Sequence, residues 1–326
     1  MLASLKNKTG RRKPPVTSIP PNRPIKTTYR SNPVPIPDAF LTAPAPDSVP
    51  IITTPIDWSS TPIPEYDGAY AVVLDNVLSP SECATLIALA EASVPPQGEP
   101  GGEQRNGPDD SWGPALVNVG SGFEVLTPDY RNSDRIVWDC QEVVDRIWQR
   151  CLQAEGEEGE AMKERLRVVE GKERGVTGGG WREEGARWEF LRVNDRMRFL
   201  RYGKGGFFRP HCDSSYADIN DPSGMTRTLF TVHVYLNDSK AEAEAGQRAK
   251  LVGGATTFYS NDEKRRLDVN PKAGRVLIFQ HHRLLHSGDD VKAGVKYTMR
   301  TDILYKYLMD EEQLSETESQ SESESE

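Results

Sequence analysis

From about residue 188 onward, apolar and polar residues alternate, first at Phe190, Arg192 and Asn194 and then in short runs at 197–202, 226–236, 254–260, 275–280 and 295–305. Successive side chains of a β-strand point to opposite faces, so a repeat of two marks half-buried strands, and the glycines between the runs mark turns. Upstream the repeat is helical. Ser79 is a good N-cap, Pro80 suits the first helical position and Glu82 is placed to close a capping box, after which Cys83, Leu86, Ile87 and Ala90 share one face. A second helix is predicted over about 134–152, where Ile136, Val137, Val143, Val144, Ile147, Trp148 and Cys151 recur at helical spacing. Helices followed by many short strands predict an α+β fold, a jelly roll with N-terminal helices packed on one sheet.

The last run sharpens this picture. Val295, Tyr297, Met299, Thr301 and Ile303 alternate with Lys296, Thr298, Arg300 and Asp302, so one face of a single strand is mostly apolar and the other is charged. The charged face is expected to line a cleft while the apolar face meets the helices. The competing reading is an edge strand with Lys296 and Arg300 in water.

All five histidines, His211, His233, His281, His282 and His286, fall within this strand-rich region. His211 and Asp213 stand two apart, and on a strand such residues project from one face roughly 6.5 Å apart along the backbone, so both can reach one cation. His286, from a later strand, completes a 2-His-1-carboxylate set, which suits Fe(II) and leaves one side of the ion open. His233 shares a face with Tyr235 and is read equally as cavity lining or as a hydrogen-bonded structural residue. His281 and His282 are read as structural. Cys212, between two ligands, should point away from the metal and pack.

The blocks around these residues, FLRYGKGGFFRPHCDSSY, RTLFTVHVYLND, GGATTFYS, VNPKAGRVLIFQHHRLLHSG and VKAGVKYTMRTDILY, run in order along the chain. Between Tyr202 and Lys296 they resemble the 2-oxoglutarate and Fe(II)-dependent dioxygenases, specifically the prolyl 4-hydroxylase catalytic-domain group, whose pattern is about Tyr-x-x-Gly-x-x-Phe-x-x-His-x-Asp, a YLN strand, Gly-Gly-x-Thr-x-Phe and a distal His followed ten residues later by Lys. The resemblance implies a distorted double-stranded β-helix. It also implies Fe(II) held by His211, Asp213 and His286, with 2-oxoglutarate as co-substrate, O₂ as oxidant and ascorbate as reductant. In the same way it places Lys296, ten residues past His286, on the far carboxylate of 2-oxoglutarate, and the Tyr202 and Tyr235 hydroxyls near the co-substrate. Arg300 is a further co-substrate or substrate contact. Relatives that halogenate lack the carboxylate ligand, so Asp213 points to hydroxylation, with a prolyl residue or a related compound as the implied substrate. Arg131, Asn132 and Arg135 recur in members of the group and are read either as substrate contacts or as helix N-terminal polar groups.

Composition bounds the rest. Fourteen of the 24 prolines lie in the first 64 residues, a stretch too poor in buriable surface to offset its ordering entropy. The expected organisation is a disordered basic tail over 1–65, a catalytic domain over 66–308 with a helical front half to 187, and a disordered acidic Ser/Glu tail over 309–326. Residues 1–30 hold eight Lys or Arg and no acid, and residues 310–326 hold eight Asp or Glu and no base, so the ends cancel and the net charge of −9 belongs to the middle. An acidic body disfavours a nucleic-acid substrate, which needs a basic face, and favours a peptide, protein or small-molecule partner. Two other classes stay open: a nucleic-acid demethylase of the same superfamily, which a basic groove beside the iron would favour, and a catalytically silent jelly-roll module, in which the chemical residues would not converge. No apolar run is long enough to span a membrane, no secretory signal is evident, and four unpaired-looking cysteines suit a reducing compartment, so a cytoplasmic or nuclear location is expected. Of two long connections, 95–112 is expected to cover the metal pocket and 154–186 to be an exposed insertion with a short charged helix.

Overall fold

The computed structural model describes residues 19–42, 49–96, 105–107, 110–120, 122–178, 187–218, 221–243 and 248–308. Two antiparallel sheets face each other. The larger has ten strands built around Lys296–Leu308, which pairs with Thr226–Tyr235 on one side and with Arg196–Tyr202 and Arg187–Val193 on the other. The smaller has five, in the order Arg266–Val269, Thr256–Tyr259, His286–Gly288, Phe207–His211 and Arg131–Asn132. This is the expected jelly-roll arrangement, and the alternation in Lys296–Leu308 works as its pattern implies. Met299 and Thr301 face Val144, Ile147 and Trp148 of a helix, whereas Lys296 and Arg300 face the space between the sheets.

Three helices pack on the outer side of the larger sheet or at its end: α1 (Pro80–Ala92), α2 (Gln141–Cys151) and α3 (Gly156–Arg167). The capping box of α1 forms as its sequence predicts, Ser79 Oγ accepting from the Glu82 N–H at 3.2 Å while the Glu82 carboxylate accepts from the Ser79 N–H at 2.8 Å. Glu82 also pairs at 2.8 Å with the buried Arg150 of α2, tying the two helices together.

Several expectations are corrected. The helix predicted from 134 begins at Gln141; Asp134–Asp139 is a strand paired with Arg196–Tyr202, and Cys140 is the extended N-cap. Arg135, Ile136, Val137 and Trp138 are all buried, so the strand is covered on both faces and its apolar run carries no period by which to tell it from a helix. The front half is not purely helical, since Ala71–Asp75 pairs with Val276–Gln280 and Arg131–Asn132 with Phe207 and Phe208. Nor does an unstructured tail run to residue 65. Pro24–Lys26 pairs with Phe123–Val125, Ile52–Pro55 pairs with Ala71–Asp75, and Phe40, Leu41, Trp58 and Ile63 are buried. A few large apolar side chains suffice to hold a proline-rich strap once a sheet is there to receive them. Residues 1–18 and 309–326, which carry the basic cluster and the acidic repeat, lie outside the described residues.

Parts of the two long connections, 97–104, 108–109 and 179–186, lie outside the described residues. The short charged helix forms as α3, but Met162 and Leu166 are buried and the Tyr305 hydroxyl donates to the Leu166 carbonyl at 2.7 Å, so it is part of the body. In the other connection, Asp110 pairs with Arg201 at 2.7 Å and Trp112 is buried against Tyr297, both on the helix-facing side of the larger sheet, away from the space between the sheets.

Candidate active site

His211 ends the strand Phe207–His211 and His286 begins the strand His286–Gly288, and the two stand directly opposite in register. A register shift between Phe208 and His211 turns the end of the strand inward, as bulges near active sites do. Asp213 follows two residues later. The three candidate ligand atoms lie within 4.8 Å of one another. Each imidazole is fixed by its other nitrogen: His211 Nδ1 lies 2.8 Å from the Arg209 carbonyl and His286 Nδ1 lies 3.0 Å from the Leu284 carbonyl, which makes each Nδ1–H the donor and leaves both Nε2 lone pairs turned toward Asp213. Burial keeps the rings neutral, pushing His211 down to about 3 and lowering His286 as well. Burial would raise the Asp213 carboxyl, but Arg300 and the imidazoles outweigh it and hold the group well below the usual carboxylate range. Two neutral imidazoles and a carboxylate, already deprotonated and aimed at one point, fit a ferrous ion without rearrangement.

The larger sheet supplies the opposite wall of a narrow recess between the sheets. Lys296 is 2% exposed, its Nζ 5.3 Å from the centre of the Tyr202 ring and 5.8 Å from that of Tyr235, and it has no ion-pair partner among the described residues. Burial pushes its amine down to about 7. Gly254, at φ +76, lies against it, where a Cβ would come within 3.2 Å of Lys296 Cδ; here the Gly-Gly block has a steric reason. Tyr202 lines the recess, whereas Tyr235 turns its ring toward Lys296 and donates its hydroxyl to the Val269 carbonyl at 3.4 Å. Arg300 lies beside the candidate ligands: its guanidinium is 2.9 Å from Asp213 Oδ1 and 3.2 Å from Asp302.

Residues 197–301 match the family profile of the 2OG-Fe(II) oxygenase superfamily. This stretch of the chain is thus a domain of that superfamily. No curated protein matches the chain. Among solved structures it is similar to the viral collagen prolyl hydroxylase of Paramecium bursaria Chlorella virus-1 in complex with 2-oxoglutarate, at 22% identity over 74% of this chain and 98% of that one, with a TM-score of 0.37. A prolyl-4-hydroxylase of Pseudomonas putida shows 13% identity over 76% and 99%, TM-score 0.42. A Trichoplax adhaerens prolyl hydroxylase in complex with a hypoxia inducible factor peptide shows 13% over 75% and 88%, TM-score 0.41. Likenesses at this level decide nothing about chemistry. The oxygenase is thus an enzyme that uses Fe(II) and 2-oxoglutarate, and no helix among its described residues is long and apolar enough to cross a membrane.

The remaining site residues of this oxygenase fall into two groups. Those beside the candidate ligands include Thr231, whose hydroxyl donates to Asp213 Oδ2 at 2.5 Å, and Asp302, fully buried, which accepts from Arg198 at 3.0 Å and from Tyr216 at 2.8 Å. Sequence reasoning passed over Thr231 and Arg198, although each is a polar residue at an inward position of an otherwise apolar strand. His233 does line the recess, neutral and with Nε2 unpartnered, its proton affinity lowered by burial and by Lys296. The second group stands apart from the metal. His281 lies 3.3 Å from Asp302 and His282 is half-buried, its carbonyl accepting from Gln280. Cys212 points away from the ligands as expected, but it is exposed rather than packed. Arg131 lines the recess above Phe208, while Arg135 is buried against Glu124 at 2.9 Å and Asn132 donates to the Gly205 carbonyl, so neither of these two faces the metal.

Proposed function

We propose that this oxygenase is a prolyl 4-hydroxylase-like hydroxylase, acting on a prolyl residue or a related compound, with His211, Asp213 and His286 as the iron ligands and Lys296 as the anchor of 2-oxoglutarate. The observation that carries the reading is a buried, unpaired amine in the same recess as a ready ligand set. A buried cation without a partner is costly unless a ligand supplies the opposite charge, and a dicarboxylate that also reaches the metal does so. Iron with 2-oxoglutarate and O₂ supplies the oxidising chemistry, 2-oxoglutarate going to succinate and CO₂ while one oxygen atom enters a C–H bond of the substrate.

The chain's own residues do the positioning. The two backbone carbonyls orient the imidazoles, and Thr231 and Arg300 engage Asp213 so that its carboxylate presents one direction to the metal. Tyr202, with its hydroxyl on the recess wall, is assigned to 2-oxoglutarate beside Lys296, with Tyr235 buttressing the amine through its ring. The apolar walls, Leu200, Phe208 and Phe279, keep water from the reacting face. The convergence of these groups speaks against a silent binding module. A demethylase acting on nucleic acid is not favoured, because the open groove next to the recess mixes Arg209, Arg266 and Lys292 with Asp268, Asp289 and Asp290. Incubating the protein with Fe(II), 2-oxoglutarate, ascorbate and prolyl peptides tests the reading: succinate should form together with a product 16 mass units heavier, and succinate formation indifferent to every prolyl compound would remove the prolyl assignment.

A further inference from the structure

Four cationic side chains line the recess: Arg131, Arg198, Lys296 and Arg300. Two of them are matched by carboxylates of the protein, Arg198 by Asp302 at 3.0 Å, and Arg300 by Asp213 at 2.9 Å and Asp302 at 3.2 Å. Lys296 and Arg131 have no carboxylate partner among the described residues. On the proposed function the far carboxylate of 2-oxoglutarate takes Lys296 and its other carboxylate goes to the metal, so both charges of the co-substrate are accounted for. Arg131 is then left over.

Its setting is that of a cation held in place. The guanidinium lies 4.5 Å above the centre of the Phe208 ring, and the imidazole of His211 stacks on the same ring at 3.8 Å, which puts Arg131 no more than about 8 Å from a metal ligand. It donates long hydrogen bonds to the Leu116 carbonyl at 3.3 Å and the Ser133 hydroxyl at 3.4 Å and also engages the Tyr202 hydroxyl, none of which carries a formal charge. A guanidinium has five donors in a planar fork that matches a carboxylate, so these neutral partners leave donors over for an anion in the recess that Arg131 lines. Its strand, Arg131–Asn132, is the edge of the smaller sheet and pairs with Phe207 and Phe208, so the cation is carried on the same sheet as the metal ligands and across the recess from Lys296. Burial drives the group down to about 10, the direction expected of a cation lacking a counter-charge.

We propose that Arg131 receives a carboxylate on the molecule to be hydroxylated, so that the substrate is a carboxylic acid held with that group a short distance from the metal. This rests on the proposed function for the use of Lys296. Within that reading it names a narrower class, a free or N-acylated amino acid or a chain-terminal prolyl residue in place of an internal one.

The test pairs acids with their primary amides. Full-length protein with Fe(II) and 2-oxoglutarate is given proline and prolinamide, N-acetylproline and N-acetylprolinamide, and matched pairs on other amino-acid skeletons, with succinate and hydroxylated product measured. At least one acid should stimulate turnover tenfold or more over its amide, and Arg131→Gln should lower that stimulation at least tenfold while Arg131→Lys restores part of it. The dissociation constant of 2-oxoglutarate, followed anaerobically by the absorbance of its iron complex without substrate, should change less than twofold in Arg131→Gln. If an acid of a non-prolyl skeleton passes while all prolyl compounds fail, the carboxylate site stands and the prolyl assignment falls. A panel in which no acid outperforms its amide overturns the proposal, as does a tenfold loss of 2-oxoglutarate affinity in Arg131→Gln, which would give this arginine to the co-substrate. Unchanged acid stimulation in a folded Arg131→Gln protein overturns it as well.

Discussion

In the smaller sheet and the loop after it, two neutral imidazoles and one carboxylate converge on one point, with Arg131 at the sheet's edge. The larger sheet facing it presents Lys296, Arg300, Arg198 and His233, whose Nε2 is unpartnered among the described residues. The sheets differ in build as well. The ligand strands are three and five residues long and shift register at the bend, while Lys296–Leu308 runs thirteen residues beside a ten-residue partner. Metal ligands need direction, and short bulged strands whose backbone carbonyls hold each imidazole provide it. Carboxylate binding needs a charge kept dry and rigid, and a long strand paired on both sides provides that. Arg300 is where the two sheets meet, a side chain of the larger one paired with a ligand of the smaller one.

Removing a ligand from the smaller sheet should have the largest effect. Asp213→Ala takes away one of three donors and leaves Arg300 without its closer partner, so iron affinity and 2-oxoglutarate turnover should fall together by on the order of a hundredfold or more. Stoichiometric iron in that variant, measured by metal analysis, would break the assignment of the metal to this sheet. In the larger sheet, Lys296→Ala should leave iron in place and weaken 2-oxoglutarate by roughly ten- to a hundredfold, since a charge-assisted contact contributes about 1.5–3 kcal/mol. Titration of 2-oxoglutarate against the two variants separates the roles, and loss of iron from Lys296→Ala would merge them. Arg300→Ala probes the junction. It should weaken iron about tenfold through Asp213 and alter 2-oxoglutarate affinity less; a large co-substrate defect with iron unaltered would place Arg300 in the grip on 2-oxoglutarate.

The sequence shows the ligand set more clearly than the junction, and the reason is geometric. A His-x-Asp pair on a strand carries its own spacing, and the alternation from Val295 to Tyr305 correctly separates the face of Lys296 from the face of Met299. An extended strand puts Arg300 about 13 Å from Lys296, which favours separate tasks, but which ligand Arg300 would meet depends on how the two sheets stack. Local patterns do not encode that stacking. The same limit explains the errors upstream. Ile136, Val137 and Trp138 fit a helix by spacing, yet the partner strand Arg196–Tyr202, some sixty residues on, decides their state. Phe40, Leu41 and Trp58 are isolated apolar residues in a proline-rich stretch, and only a preformed surface makes their burial favourable. Of the expected lid at 95–112, residues 97–104 and 108–109 lie outside the described residues, and Trp112 at its end packs on the opposite side of the sheet.

The smallest expected effect lies in pH and belongs to the larger sheet alone. Lys296 titrates near 7 in the free protein because burial disfavours its charge, whereas His211, lowered to about 3, is already neutral across the physiological range. A carboxylate binds the charged amine better than the neutral one, so 2-oxoglutarate binding raises the amine's proton affinity and takes up a proton above pH 7. The sign follows directly. Well below pH 7 the amine is charged before the ligand arrives and affinity is flat; above it, each pH unit should weaken binding by up to about tenfold, from protonation alone. Anaerobic titrations between about pH 6 and 9, in buffers of different ionisation enthalpy, report both the slope and the proton taken up. Lys296→Arg keeps its charge throughout and should flatten the profile, even where its longer side chain costs some affinity. A slope that persists in Lys296→Arg would mean that the titrating proton sits on another group, and the larger sheet would lose the role of carrying the co-substrate's charge through that lysine.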